Sequence, residues 1–155
     1  MASVELPALK AALAPGQRLL GLDLGEKTIG IALSDTSLTV ATPFKTLARG
    51  KFKADAQSLL DIMSEHRVGG LIVGLPLNMD GSSGPSAQSA SAFVRNFSAI
   101  SELPVLMQDE RLSTAAVTRT LIDADASRRR RAEVVDKMAA AYILQTVLDR
   151  LRMVP

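Results

Sequence analysis

Three acidic positions in this chain fall where solvated charge does not belong. Asp23 interrupts the strand-like run Arg18-Leu19-Leu20-Gly21-Leu22-Asp23-Leu24. Burying an unpaired carboxylate costs several kcal/mol, so such a group is normally protonated, ion-paired or bound to a metal. Asp136 heads an apolar helical stripe that continues through Ala140, Ile143, Val147 and Leu151, while Lys137, Gln145, Asp149 and Arg152 form the polar stripe. The third position is the pair Asp109-Glu110 at the end of a strand-like segment, the edge where sites assemble in open α/β sheets. Neighbours on a strand point to opposite sides, so one of the two enters a site, and the residues alone favour neither.

A carboxylate cluster in a chain with no cysteine and one histidine, His66, suits hard, oxygen-preferring cations such as Mg²⁺ or Mn²⁺ rather than zinc. Two such ions about 4 Å apart can activate a water and stabilise the leaving oxygen of a phosphodiester. The chemistry this implies is that of a nuclease. Cations to hold phosphates are at hand in two clusters, the block Arg128, Arg129, Arg130 and Arg131 and the set Lys45, Arg49, Lys51 and Lys53. The net charge of +2 is too small to argue for an anionic partner by itself. His66 ends an expected helix, where a partly charged imidazole suits the dipole. Met107 and Tyr142 are expected in the core, and Ser113 reads as a helix cap rather than a nucleophile because no histidine base accompanies it.

The elements that must position these residues are legible in the pattern. Segments 18–24 and 28–34 favour β structure and are separated by Gly25-Glu26-Lys27, short enough for a hairpin; a third strand is expected at 38–43. A helix over 53–67, with Ala56, Leu59, Leu60 and Met63 at helical spacing, is expected to stop at Gly69-Gly70. The apolar run 71–73 reads as a strand buried on both faces. A glycine-, serine- and proline-rich loop over 74–85 leads to a helix at about 86–100 and a strand at 105–107. Two helices follow, at about 113–124 and 132–153, with the arginine block between them. Three antiparallel strands followed by strand–helix units give an α/β fold with a mixed sheet of about five strands flanked by helices.

At 155 residues the chain holds one domain, placed at 18–155, with the alanine-rich residues 1–17 expected to be a loosely attached leader. Hydrophobic residues at 47% and charged residues at 22% are close to the globular norm and suggest neither a disordered nor a membrane class. Aromatics at 3% leave few rings for stacking on bases, so a nucleic-acid contact would lean on charge and shape. Without disulfides, a signal-like N-terminus or an apolar run near 20 residues, a cytoplasmic location is expected.

Four ordered blocks resemble the YqgF family, also called RuvX or Holliday-junction-resolvase-like proteins. They are Gly21-Leu22-Asp23-Leu24-Gly25 with Ile29-Gly30-Ile31-Ala32, Gly74-Leu75-Pro76-Leu77-Asn78-Met79-Asp80-Gly81, Asp109-Glu110-Arg111-Leu112-Ser113-Thr114, and Asp136-Lys137-Met138-Ala139-Ala140-Ala141-Tyr142-Ile143-Leu144. The resemblance spans about residues 18–151. It implies a ribonuclease-H-like fold, catalytic and metal-holding acids at Asp23, Glu110 and Asp136, and Mg²⁺ or Mn²⁺ as cofactor. The implied activity is metal-dependent phosphodiester hydrolysis in 5′-end processing of the 16S ribosomal RNA precursor. Resolution of branched DNA by the same site, or a non-catalytic RNA-binding role in ribosome assembly, are the alternatives. Lys27, Asn78, Arg111, Lys137 and the four arginines from Arg128 to Arg131 would contact nucleic acid. Many family members carry arginine where this chain has Thr28, and Lys27 beside it is the basic residue available for that contact. A third class, a sugar-kinase-like ATPase, would need two lobes around its nucleotide, and this chain has length for one. Both a monomer and a homodimer fit the sequence, a symmetric resolvase requiring the dimer.

Overall fold

The computed structural model describes residues 3–76, 80–109 and 128–155, and side chains throughout these except in 128–136. In chain order the elements are α1 (Leu6–Ala12), β1 (Arg18–Leu24), β2 (Thr28–Ser34), β3 (Ala41–Ala48), α2 (Phe52–Glu65), β4 (Val68–Leu75), α3 (Pro85–Ser98), β5 (Val105–Asp109) and α4 (Arg128–Leu151). The sheet has five strands in the order β3-β2-β1-β4-β5. β1 pairs antiparallel with β2 and parallel with β4, β2 pairs antiparallel with β3, and β4 pairs parallel with β5. This is the mixed sheet expected from the pattern.

Alternation along β1 divides the core into two layers. Leu20 and Leu22 join Ile29, Ile31, Leu71 and Val73 under α2 and α3. Leu19 faces the other way, with Ile72 and Leu106, into a layer built by α4 and α1. Strand β4 is buried along nearly its whole length, as a strand covered on both faces must be. The stripe expected on α4 is the one that packs: Ala140, Ile143, Val147 and Leu151 are all buried.

The contact that sets the depth of α4 is at Gly21. A Cβ there would lie 2.9 Å from the Ala140 carbonyl oxygen and 2.9 Å from Leu144 Cβ. Only a residue without a side chain lets the helix backbone come this close, and Ala139 and Ala140, both fully buried, present the matching small surface.

Five expectations are corrected. The expected leader 1–17 is not loose where it is described, from residue 3 on: α1 buries Leu6 and Leu9, Val4 N–H donates to the Val105 carbonyl at 2.7 Å, and Lys10 Nζ donates to the Leu151 and Val154 carbonyls. The apolar spacing of Leu6, Leu9 and Leu13 had that signal, and Pro7 sits in the first turn of the helix. The third strand begins at Ala41 rather than 38. The Asp35 carboxylate gathers the Ser37 hydroxyl and the N–H groups of Thr39 and Val40, and Leu38 takes a positive φ of 56°, so the chain turns before it extends. Helix α2 is stopped by Arg67 at φ 54°, not by Gly69-Gly70, which lie inside β4. A Cβ at Gly70 would meet Leu19 and Leu9 methyl carbons at 2.9 Å, so that glycine serves close packing. The arginine block belongs to the first turn of α4 instead of preceding it, consistent with arginine's high helix propensity. Tyr142 lies off the apolar stripe of α4 and is 52% exposed. The helix expected at 113–124 falls outside the described residues.

Two outcomes follow from this packing. Gly21→Ala should destabilise the fold by about 1–3 kcal/mol through overpacking, whereas Gly50→Ala, whose Cβ would meet only Asp55 Oδ1 at 3.8 Å, should be near neutral; denaturant melts of the two variants check this. The hydrogen bonds to Asp35 hold its carboxyl below the usual carboxylate range, the Ser37 hydroxyl contributing most. A depressed folded-state value stabilises above the unfolded pKa of about 3.9 and that stabilisation is lost as pH falls through the folded value. Asp35→Ala should therefore melt below wild type at neutral pH, with the gap closing below about pH 4; a gap independent of pH would contradict the assignment.

Candidate active site at the carboxyl edge of the sheet

The parallel strands β1, β4 and β5 end together. Leu22 is level with Val73, Val73 with Met107, and Leu75 with Asp109. Asp23 lies one residue beyond Leu22, opposite Gly30 of β2, and is 8% exposed. It follows Gly21 by two residues and so projects from the same face of β1, the face covered by α4.

Helix α4 crosses that face running against β1. Its Gln145 accepts from Ala41 N–H at 2.8 Å and donates to the Thr39 carbonyl at 3.0 Å, beside the end of β2 that pairs toward the start of β1. Its Ala140 and Leu144 lie on Gly21 at mid-strand. Going back along the helix therefore leads toward the edge that carries Asp23. Asp136 is one turn before Ala140, a rise of about 6 Å, and Asp23 is about 6.6 Å along the strand from Gly21. The two backbone positions thus advance to the same edge by similar amounts, and the side chain of Asp136 is outside the description.

Glu110 follows directly on the last residue of β5 and lies outside the described residues, as do Asn78 and Arg111. Asp109, the other half of the acidic pair, is described and exposed. Among the described side chains no group of three histidine, cysteine, aspartate or glutamate residues is close enough to hold a metal; of the three expected ligands only Asp23 has a described side chain. Its chemistry fits a hard cation: a buried oxygen donor in a chain without cysteine. His66 is at the other edge, just before β4 begins, with its ring edge-on to Phe44 at 5.1 Å, so it has no part in this site.

Of the residues expected to contact nucleic acid, Lys27, Lys137 and the backbone of the four arginines are described. Lys27 is exposed in the β1–β2 turn, where Gly25 N–H donates to the Thr28 carbonyl at 2.8 Å. Lys137 is half-buried on α4, and Arg128, Arg129, Arg130 and Arg131 occupy its beginning. After β4, Asp80 Oδ1 accepts from the Ser82 N–H and hydroxyl and Gly81 has φ 88°, so that part of the loop is a side-chain-stabilised turn.

In the sequence Arg49 is one member of a basic cluster and Asp55 an ordinary helical acid, whereas the fold gives both a specific place. Arg49 joins three elements at the site edge: its N–H donates to the Lys27 carbonyl at 2.8 Å, Nη1 to the Gly25 carbonyl at 2.7 Å and Nη2 to Ser89 Oγ at 3.4 Å. Asp55, 7% exposed, accepts from Gly50 N–H at 3.1 Å and ties the start of α2 to the chain leaving β3. A charged residue immediately after a strand end was the available signal for Arg49, and an acid in the first turn of a helix the signal for Asp55.

Comparison with known proteins agrees with this architecture. The family model described as RuvX: Holliday junction resolvase matches residues 17–150. A protein of Methylocella silvestris named "Putative pre-16S rRNA nuclease" is 60% identical over 149 residues, 96% of this chain and 92% of its own. A protein of the same name from Paramagnetospirillum magneticum is 60% identical over 141 residues, 91% of each chain. Among solved structures, Thermus thermophilus RuvC in complex with a Holliday junction substrate superposes with a TM-score of 0.53 at 12% identity, covering 87% of this chain and 96% of that one. Fowlpox virus resolvase with Holliday junction DNA gives 0.51 at 10% identity, over 87% and 99%. At such identities the structural likeness concerns the fold alone, which is the ribonuclease-H-like fold that the sequence blocks implied. With the family model matched over residues 17–150 and relatives 60% identical across nine-tenths of both chains, this chain belongs to the RuvX family.

Proposed function

We propose that the protein is a nuclease that hydrolyses phosphodiester bonds in the cytoplasm and acts on the 5′ end of the 16S ribosomal RNA precursor. The observation that carries the reading is Asp23, a buried carboxylate at the carboxyl edge of the sheet, in a chain 60% identical to proteins named for pre-16S rRNA cleavage. Asp23, Glu110 and Asp136 would hold Mg²⁺ or Mn²⁺, which supplies charge to activate a water and to stabilise the leaving oxygen.

The chain's own contribution is placement. Asp23 sits on a central strand paired on both sides, and α4 packs directly on Gly21 of the same strand, which supports the reading. Rigid elements hold a reacting geometry better than loops do. Lys27, Asn78, Arg111, Lys137 and the arginines at the start of α4 would engage phosphates around the edge, and would do so without base stacking, since aromatics are scarce.

The test is cleavage of a precursor RNA carrying the 16S 5′ leader, with Mg²⁺ or Mn²⁺, by wild type and by Asp23→Asn, Glu110→Gln and Asp136→Asn. Each variant should lose about two orders of magnitude or more in rate, as removal of transition-state charge stabilisation does, while still binding the RNA and melting cooperatively. Full activity in any of the three would remove that residue from the site. A four-way DNA junction in a parallel assay separates the two substrates: symmetric junction cutting with intact precursor RNA would assign the site to branched DNA instead.

A further inference from the structure

Two cavities open beside Arg49, on the α3 side of the same sheet edge. The larger, about 350 Å³, begins at Leu24 and is lined by Gly25, Glu26, Arg49, Ser86 and Ser89. The smaller, about 170 Å³, lies across the Arg49–Ser89 contact and is bounded by Phe52, Asp55, Phe93 and Asn96. Because Arg49 and Ser89 line both, the two are halves of one groove bridged by that hydrogen bond. The larger half falls within the volume range of small-ligand sites.

We infer that this groove is a phosphodiester-binding subsite, in which Arg49 with Ser86 and Ser89 holds a phosphate of the nucleic-acid strand away from the scissile one. Arg49 is preorganised for it. The Gly25 carbonyl and Ser89 fix the guanidinium, which stands 6.0 Å from the centre of the Phe93 ring, and these two bonds use part of its five-donor fork. Among the described residues Arg49 makes no ion pair, so its remaining donors are not engaged by a carboxylate. Ser86 and Ser89, three residues apart on α3 and both exposed, present hydroxyls to the same cavity. Glu26 is the acid on the wall of the larger half and opposes an anion there, while Asp55, on the smaller half, has its carboxylate engaged by the Gly50 N–H.

Position gives the groove its use. Leu24 and Gly25 directly follow Asp23, so a strand cleaved at Asp23 and continuing past the end of β1 reaches Arg49. The phosphodiester ligand class rests on the nuclease reading, whereas the anion preference rests on the groove itself.

The experiment measures binding of a fluorescent single-stranded oligoribonucleotide, and of the matching deoxyribonucleotide, over a salt series in EDTA, so that no cleavage is required. Arg49→Gln should weaken binding about tenfold and reduce the slope of log K against log salt by about 0.7. Ser86→Asp leaves every Arg49 bond in place and puts an acid in the first turn of α3, where it favours the helix; it should weaken binding with the melting temperature unchanged or higher. Glu26→Gln should tighten binding. Equal effects on both oligomers mark the phosphate as the group recognised. Wild-type protein that binds neither oligomer, or variants that bind as wild type does, would overturn the subsite. Weakening confined to Arg49→Gln with a lowered melting temperature would make Arg49 a structural tie and overturn it as well. Weakening in both variants of a wild type that cleaves no nucleic acid would uphold the subsite and remove the nuclease reading alone.

Discussion

The approach of α4 to β1 at Gly21 is the constraint on which the rest of the molecule depends. With a Cβ position 2.9 Å from the Ala140 carbonyl, the helix backbone sits directly on the central strand. Both α1 and the sheet pack against the apolar stripe that this contact orients, through Leu9, Leu19, Ile72 and Leu148. The same contact fixes the level at which α4 leaves the sheet, and hence the relation between Asp136 on the helix and Asp23 on the strand. A side chain at Gly21 would thus act on the core and on the site together.

At the carboxyl edge the two faces of the sheet carry groups of opposite charge. On the α4 face lies Asp23, an anion in a buried position that favours a cation partner. On the α3 face lies Arg49, a cation wired into the β1–β2 turn, the end of β3 and α3. A phosphodiester strand crossing such an edge would meet both signs of charge in the places where backbone chemistry and backbone binding need them. The opposite edge holds His66 against Phe44 and the Asp35 turn, and contributes to stability rather than chemistry.

Much of this was legible in the residues, for reasons that are physical. Asp23 stood out because period-2 strands buried on both faces exclude charge, and the α4 stripe stood out because helical spacing collected Ala140, Ile143, Val147 and Leu151 around a single acid. Boundaries were legible only where local chemistry announced them. Nothing in the composition of residues 38–43 revealed that Asp35 would bind the backbone of Thr39 and Val40 and delay β3, since that competition is decided by side-chain geometry. Gly69-Gly70 read as a helix stop because glycine has two uses, and here close packing against Leu9 and Leu19 prevailed over termination. Arg49 was visible as a charge but not as a tie, because its three partners come from distant parts of the chain.

The central claim is that the β1–α4 contact brings acids together into a cation site at this edge. Titration of Mn²⁺ into the protein, followed by electron paramagnetic resonance of the free ion, tests it without substrate. The account predicts saturable Mn²⁺ uptake by wild type that Asp23→Asn and Asp136→Asn each weaken by at least about tenfold; uptake unchanged in both variants, with the fold intact, would contradict it.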